Sequence, residues 1–157
     1  MSGALFLHNR QRTRKINSAL LRKIISGLLD QILKRDEYEL GLHLVTRRKI
    51  TELNEAYLQH QGSTDVITFD YSDPARPQWL AGDIFICVAE AVEQARQFKT
   101  TWQSEIVRYV VHGLLHLCGY DDRSAKDRLK MKTEEDRCLA LLAKQFAFAR
   151  LAPANDI

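Results

Sequence analysis

Cysteine is scarce in this 157-residue chain: Cys87, Cys118 and Cys138 are odd in number, and no two are spaced as Cys-x-x-Cys. That excludes a disulfide framework and a four-cysteine zinc site, and leaves three reduced, mostly buried small apolar residues. Long apolar runs are also missing, because charges or histidines interrupt each one well before the roughly 18 residues of a membrane span. The opening MSGALFLHNRQRTRK carries its apolar stretch before its basic one and has no small-residue cleavage site, the reverse of a secretory signal. A cytoplasmic protein without membrane contact is expected. There is no internal repeat and no linker. A hydrophobic content of 45% and a charged content of 27% describe an ordinary globular chain. Its length suits one domain with a sizeable core. We expect that domain over residues 1–150, with 151–157 (LAPANDI) as a disordered tail.

Net charge is a modest +3 but unevenly spread: residues 1–50 hold 11 Lys and Arg against 4 Asp and Glu. Such a basic half could face a polyanion, although a solvated basic surface is the commoner meaning. Residues 4–9 and 39–46 read as strands. Between them Ile16, Leu20, Ile24, Leu28 and Ile32 recur every four residues and predict a helix over about 15–34. Thr46 offers an N-cap to a helix bearing Ile50, Leu53 and Tyr57. DVITFDY (65–71) and GDIFICV (82–88) are two further strands, separated by a proline-punctuated loop. Helices follow over about 88–98, from about Thr101 with Thr100 and Gln103 at capping-box spacing, and after Ser124. The order predicts an α+β single domain, a small mixed four-stranded sheet packed against about five helices.

HGLLHLCGYDD (112–122) carries the chemistry. On a helix His112 and His116 lie one turn apart on one face, in a polar seam that continues back through Arg108 and Glu105. The surrounding residues are apolar, so the helix is buried apart from that seam. Gly119 permits the positive φ that ends a helix and lets the chain turn back. Histidines at 0 and +4, glycine at +7 and a ligand at +10 is a known zinc-ligand spacing, and +10 is Asp122. A histidine pair at this spacing arises by chance in roughly one such chain in eight, and the full pattern in roughly one in a thousand. The geometry therefore predicts His112, His116 and Asp122 as ligands of one zinc ion, with a position left open for water. Gly113 stands where HExxH peptidases carry their glutamate base, which argues against a peptidase.

With its neighbours, this segment resembles the YbeY family of zinc-dependent endoribonucleases, whose signature is HGxLHLxGYDH. ITELNEAY (50–57), TDVITFDY (64–71), GDIFICVAEAVEQA (82–95) and MKTEE (131–135) are similar to that family's other blocks, in order and spacing, over roughly residues 40–135. The resemblance implies a zincin-like fold, one zinc per chain, and RNA and the ribosome as partners. The activity it implies is processing at the 3′ end of 16S ribosomal RNA, with ribosome quality control. Three positions depart from the family pattern: Asp122 replaces a histidine, Leu58 an arginine expected to approach the phosphate, and Gly62-Ser63 a proline. Arg108 is a candidate for the catalytic phosphate contact, although an ion pair with Glu105 or another acid would also explain it. Arg47, Arg48, His60 and Thr64 are candidate RNA-binding residues; Asp121 reads as a turn carboxylate, and His8 and His43 as packed side chains. A non-catalytic RNA- or ribosome-binding factor with a structural metal is the alternative to an enzyme.

Overall fold

The computed structural model describes residues 3–154. Among these residues the chain runs β1 (Gly3–Asn9), α1 (Ser18–Gly27), β2 (Tyr38–Val45), α2 (Arg47–Tyr57), β3 (Val66–Asp70), β4 (Leu80–Cys87), α3 (Val88–Phe98), α4 (Trp102–Leu117) and α5 (Ala125–Gln145). The strands form one mixed sheet in the order β1-β2-β4-β3, with β1, β2 and β4 parallel and β3 antiparallel to β4. The expected α+β architecture and element order are met.

Strand alternation gives the sheet two different faces. Leu40, Leu42, Leu44, Ile84 and Ile86 point into the main core, against Leu21, Ile24 and Leu28 near α1 and Ile106, Val110 and Leu114 of α4. The opposite face has a smaller cluster, in which Ile50 and Leu53 of α2 cover Val45, Ile67 and Cys87. Ten of the sixteen residues of α4 are buried. Each fully buried aliphatic side chain there stabilises the fold by about 1.5–3 kcal/mol relative to exposure, so α4 is a rigid mount for its polar seam.

Several local expectations are corrected. The helix expected from residue 15 begins at Ser18, because the Asn17 side chain accepts from the Leu20 N–H, and its last turn widens into a π-helix over Leu28–Ile32. Thr101 rather than Thr100 caps α4, accepting from the Ser104 N–H at 3.1 Å. Leu151, placed by the sequence reading in a tail, is fully buried, and its carbonyl accepts from the Asn17 N–H at 2.8 Å. Residues 155–157 of that tail lie outside the described residues.

Candidate metal centre

α4 ends in a turn that shapes the site. Gly119 has φ +103°, its N–H bonds to the His116 carbonyl, and the Tyr120 N–H bonds to the Leu115 carbonyl, each at 3.0 Å. This paired closure is a Schellman motif. It reverses the chain over the end of its own helix, and Ser124 then starts α5 by accepting from the Asp127 N–H at 3.0 Å. Asp122 is thereby brought back over the histidines. Its Oδ2 lies 3.4 Å from His116 Nε2 and 3.7 Å from His112 Nε2, and one donor atom from each of the three residues falls within 4.8 Å of the others. Tetrahedral zinc with bonds of about 2.0–2.1 Å separates its ligand atoms by roughly 3.3 Å. Two imidazole nitrogens and a carboxylate oxygen at these spacings fit such an ion.

The other ring nitrogens are already engaged. His116 Nδ1 lies 3.1 Å from the Tyr120 carbonyl, which can only accept, so Nδ1 donates there and Nε2 is the nitrogen turned toward Asp122. His112 Nδ1 lies 2.5 Å from Oε2 of Glu135, a carboxylate on α5 that is only 7% exposed. Burial alone would lower the His112 pKa, but the hydrogen bond to Glu135 and the charges of Glu135, Asp122 and Asp65 outweigh it and raise it. Carboxylate–histidine pairs of this kind orient a metal-ligating ring.

The three side chains open into a cavity of about 410 Å³ that is also lined by Leu58, Thr64, Asp65 and Thr68. Buried Asn54 shapes this rim. Its side-chain amide donates to the Gly62 carbonyl at 3.0 Å and its own carbonyl receives the Leu58 and His60 N–H groups, which folds the loop after α2. Gly62, at φ +85°, takes a conformation that suits glycine. Thr64 donates to Asp65, whose carboxylate also accepts from the Val66 N–H and the Gln94 amide.

Other predicted residues stand elsewhere. Arg108 does not face the cavity as a free cation. It is held at 3.2 Å from both Glu135 and Asp136, not by Glu105, which is the pairing with another acid that stood beside the phosphate contact as its alternative. Arg47 pairs with Glu90 at 2.9 Å, Arg48 with Glu52 at 3.6 Å, and His60 lines a separate surface hollow with Glu55 and Gly62. Of the four candidate RNA contacts, only Thr64 borders this cavity. Asp121 accepts from the Asp122 N–H at 2.7 Å, as a turn carboxylate does. Gly113 packs against the sheet, where a Cβ would stand 2.8 Å from Ile84 Cγ2. A glutamate base at that position has no room and would point away from the cavity. Sequence reasoning missed Glu135 as a partner of His112, although it lies in the quoted MKTEE block. It also missed Arg128, whose guanidinium donates to the carbonyls of Asp122 and Arg123.

Fold and site together define a class: a single-domain α+β protein whose most buried helix presents a three-donor cluster, suited to a divalent metal, on the wall of an open cavity. A family model described as Endoribonuclease YbeY matches residues 6–143. Proteins named Endoribonuclease YbeY are similar in sequence: that of Finegoldia magna is 37% identical over 137 residues, covering 85% of this chain and 90% of its own. That of Chlorobium luteolum is 35% identical over 138 residues, covering 88% and 97%, and that of Parabacteroides distasonis is 33% identical over 130 residues, covering 81% and 89%. The solution structure of TM1509 from Thermotoga maritima has a similar fold, with a TM-score of 0.67 at 25% identity, covering 98% of this chain and 96% of that one. The chain belongs to the Endoribonuclease YbeY family.

Proposed function

We propose that this chain is a zinc-dependent endoribonuclease that cleaves single-stranded RNA. Its process would be maturation of the 16S ribosomal RNA 3′ end and ribosome quality control, with RNA and the ribosome as cytoplasmic partners. One observation carries the reading: His112, His116 and Asp122 converge on a single point at the wall of a cavity large enough to admit a nucleotide. These residues would hold one zinc ion, with Glu135 and the Tyr120 carbonyl fixing the two rings. Such an ion supplies Lewis acidity toward a phosphoryl oxygen and acidifies a water. The remaining work falls to the chain. Thr64 and Asp65 give the cavity a hydroxyl and a carboxylate, Leu58 closes one side with apolar surface, and Gly113 removes the peptidase base. The test is cleavage of a labelled single-stranded RNA by the wild type and by His116→Ala, with and without chelator, alongside elemental analysis. Equal, chelator-insensitive cleavage by both proteins would overturn the reading.

The non-catalytic alternative is favoured by the cavity lining, which includes no arginine or lysine among the described residues and has apolar Leu58 where the family resemblance implies an arginine. Tight RNA binding without turnover, with a large drop in Tm on chelation, would establish it instead.

A further inference from the structure

The second face of the sheet is only half covered. α2 shields the end where Val45, Ile67 and Cys87 lie, and the other half bears a cluster with no part in the metal centre. Register puts His8, His43 and Phe85 abreast on β1, β2 and β4. Their rings stack, with centroids 5.0 and 4.3 Å apart and planes inclined by 15° and 11°. The row before it is Phe6, Gly41 and Asp83. A Cβ on Gly41 would collide with Asp83 Oδ1 and with His43 Nε2, so the missing side chain is what admits the carboxylate. Asp83 accepts there from His43 Nε2 at 2.9 Å and from the Tyr71 hydroxyl at 2.8 Å. Over Gly41 lies a cavity of about 240 Å³, bounded only by strand residues and Tyr71. Phe6 is 52% and Tyr71 55% exposed at this cavity.

The chemistry of this cleft selects its occupant. An apolar helix docked here would take the charges of Glu39 and Asp83 out of water, and the Glu39 carboxylate has no hydrogen-bond partner among the described residues to offset that cost. A flat heterocycle bearing an amino group meets aromatic surface and carboxylate acceptors together. The charge beside it also fits a polyanion: the first acidic residue of the chain is Asp30, and β1 leads directly into Arg10, Arg12, Arg14 and Lys15. Arg10, Arg12 and Lys15 are exposed. The Arg10 N–H continues the pairing to β2 through the Leu44 carbonyl, and strand alternation sets Arg10 on the face of Phe6 and His8. Sheet-borne aromatics beside cations are a general device for holding single-stranded RNA.

We propose that this half-face is a nucleobase-binding platform for single-stranded RNA, separate from the metal centre. A base enters the cleft over Gly41 against Phe6 and Tyr71, its amino edge toward Glu39 and Asp83, and Arg10 and Arg12 hold the adjoining phosphates. The inference deepens the proposed ribonuclease reading and rests on it for the choice of RNA. Its test separates the two by measuring binding with the full chain in chelator, where cleavage is suppressed. Fluorescence anisotropy with labelled oligo(A) 12-mers is expected to show about tenfold weaker binding for Phe6→Ala and for Tyr71→Ala. Tyr71→Phe, which keeps the ring, should stay closer to wild type. Arg10→Ala is expected to lower the salt slope by about one. Oligo(U), which has no amino group, should bind several-fold more weakly than oligo(A). In Phe6→Trp, oligo(A) should quench emission beyond the wild-type background of Trp79 and Trp102, and an abasic 12-mer of equal charge should not. Binding within twofold of wild type in the Phe6→Ala, Tyr71→Ala double variant, or equal quenching by the abasic strand, overturns the platform. A platform that binds in a chain that never cleaves sinks only the nuclease reading; cleavage with platform variants unaffected sinks only the platform.

Discussion

The chain holds two histidine pairs, each beside one aspartate and one glycine, and they are arranged in opposite ways. On α4, His112 and His116 stand edge to face, with centroids 4.7 Å apart and planes at 82°. Across β1 and β2, His8 and His43 lie flat on one another. The decisive difference is which ring nitrogen is already engaged. In the helical pair the inner Nδ1 atoms are taken by Glu135 and the Tyr120 carbonyl, which leaves both Nε2 atoms converging on Asp122. In the sheet pair the Nε2 of His43 is itself taken by Asp83. Two histidines near an acid are set up as metal ligands when other groups hold the nitrogens that face away.

Deleting one ring from each pair should have the largest and most unequal effects. His116→Ala should abolish bound metal in elemental analysis and lower RNA cleavage by at least about 10³-fold, since a metal site is worth several kcal/mol to the transition state. His43→Ala should leave metal content unchanged. Loss of metal in both variants would mean that the two pairs are not separate.

A smaller effect is expected from the group that holds His112. Glu135→Gln keeps an acceptor but removes the charge, and should weaken zinc affinity ten- to a hundredfold in a chelator competition. It also gives a pH signature in the metal-free chain. The His112 pKa is raised above its ordinary 6.5, so the stability it contributes is fully present below about pH 6.5 and is lost as pH rises through the folded-state value. The Tm advantage of wild type over Glu135→Gln should therefore be largest in mild acid and shrink toward alkaline pH. Calorimetry across that range checks it, and an advantage that grew with pH would reject the assignment.

The glycines sharpen the contrast at the level of packing. Gly113→Ala pushes a methyl against Ile84, and overpacking of this kind costs about 1–3 kcal/mol, offset by about 1 kcal/mol of helix propensity. Denaturant unfolding should show a net loss small enough for the chain to fold. Gly41→Ala acts differently, because its methyl meets the Asp83 carboxylate rather than a core side chain. It should leave metal binding intact while breaking the His43–Asp83 hydrogen bond, which the His43 ring resonances would report in NMR.

These two regions were unequally legible in the sequence. The candidate metal site could be read because helical periodicity and a turn glycine are local: spacings of four, seven and ten residues are enough to place His112, His116 and Asp122 together. The order of strands and helices was legible for the same reason. Glu135 lies 23 residues from its histidine, and Arg108 pairs with α5 rather than with Glu105 on its own helix, because the packing of two helices decides both contacts. The His43–Asp83–Tyr71 chain depends on the register of β2 against β4, which no short spacing encodes. Thr100 and Thr101 are both chemically fit to cap α4, and only the backbone chooses between them. Leu151 looked like tail because the partner that buries it precedes it by more than a hundred residues.

The smallest expected effect tests whether the regions are mechanically independent. Ser124 caps α5 two residues after Asp122, and α5 carries Glu135; Thr46 caps α2, which covers the opposite face. Each cap accepts one backbone N–H, from Asp127 and Lys49 respectively, so alanine at either position should cost about 1 kcal/mol. In a domain of this size that lowers Tm by about 2–4 °C. The two substitutions are thus matched in stability and differ in what they loosen. Ser124→Ala frees the segment joining Asp122 to α5, although the Schellman turn still holds it from the α4 side, so zinc affinity should fall by less than it does in Glu135→Gln. Thr46→Ala should leave zinc affinity at the wild-type value. An equal loss from both caps would mean that metal affinity follows global stability, and the distinction between a mounted ligand set and a stacked pair would then lose its physical basis.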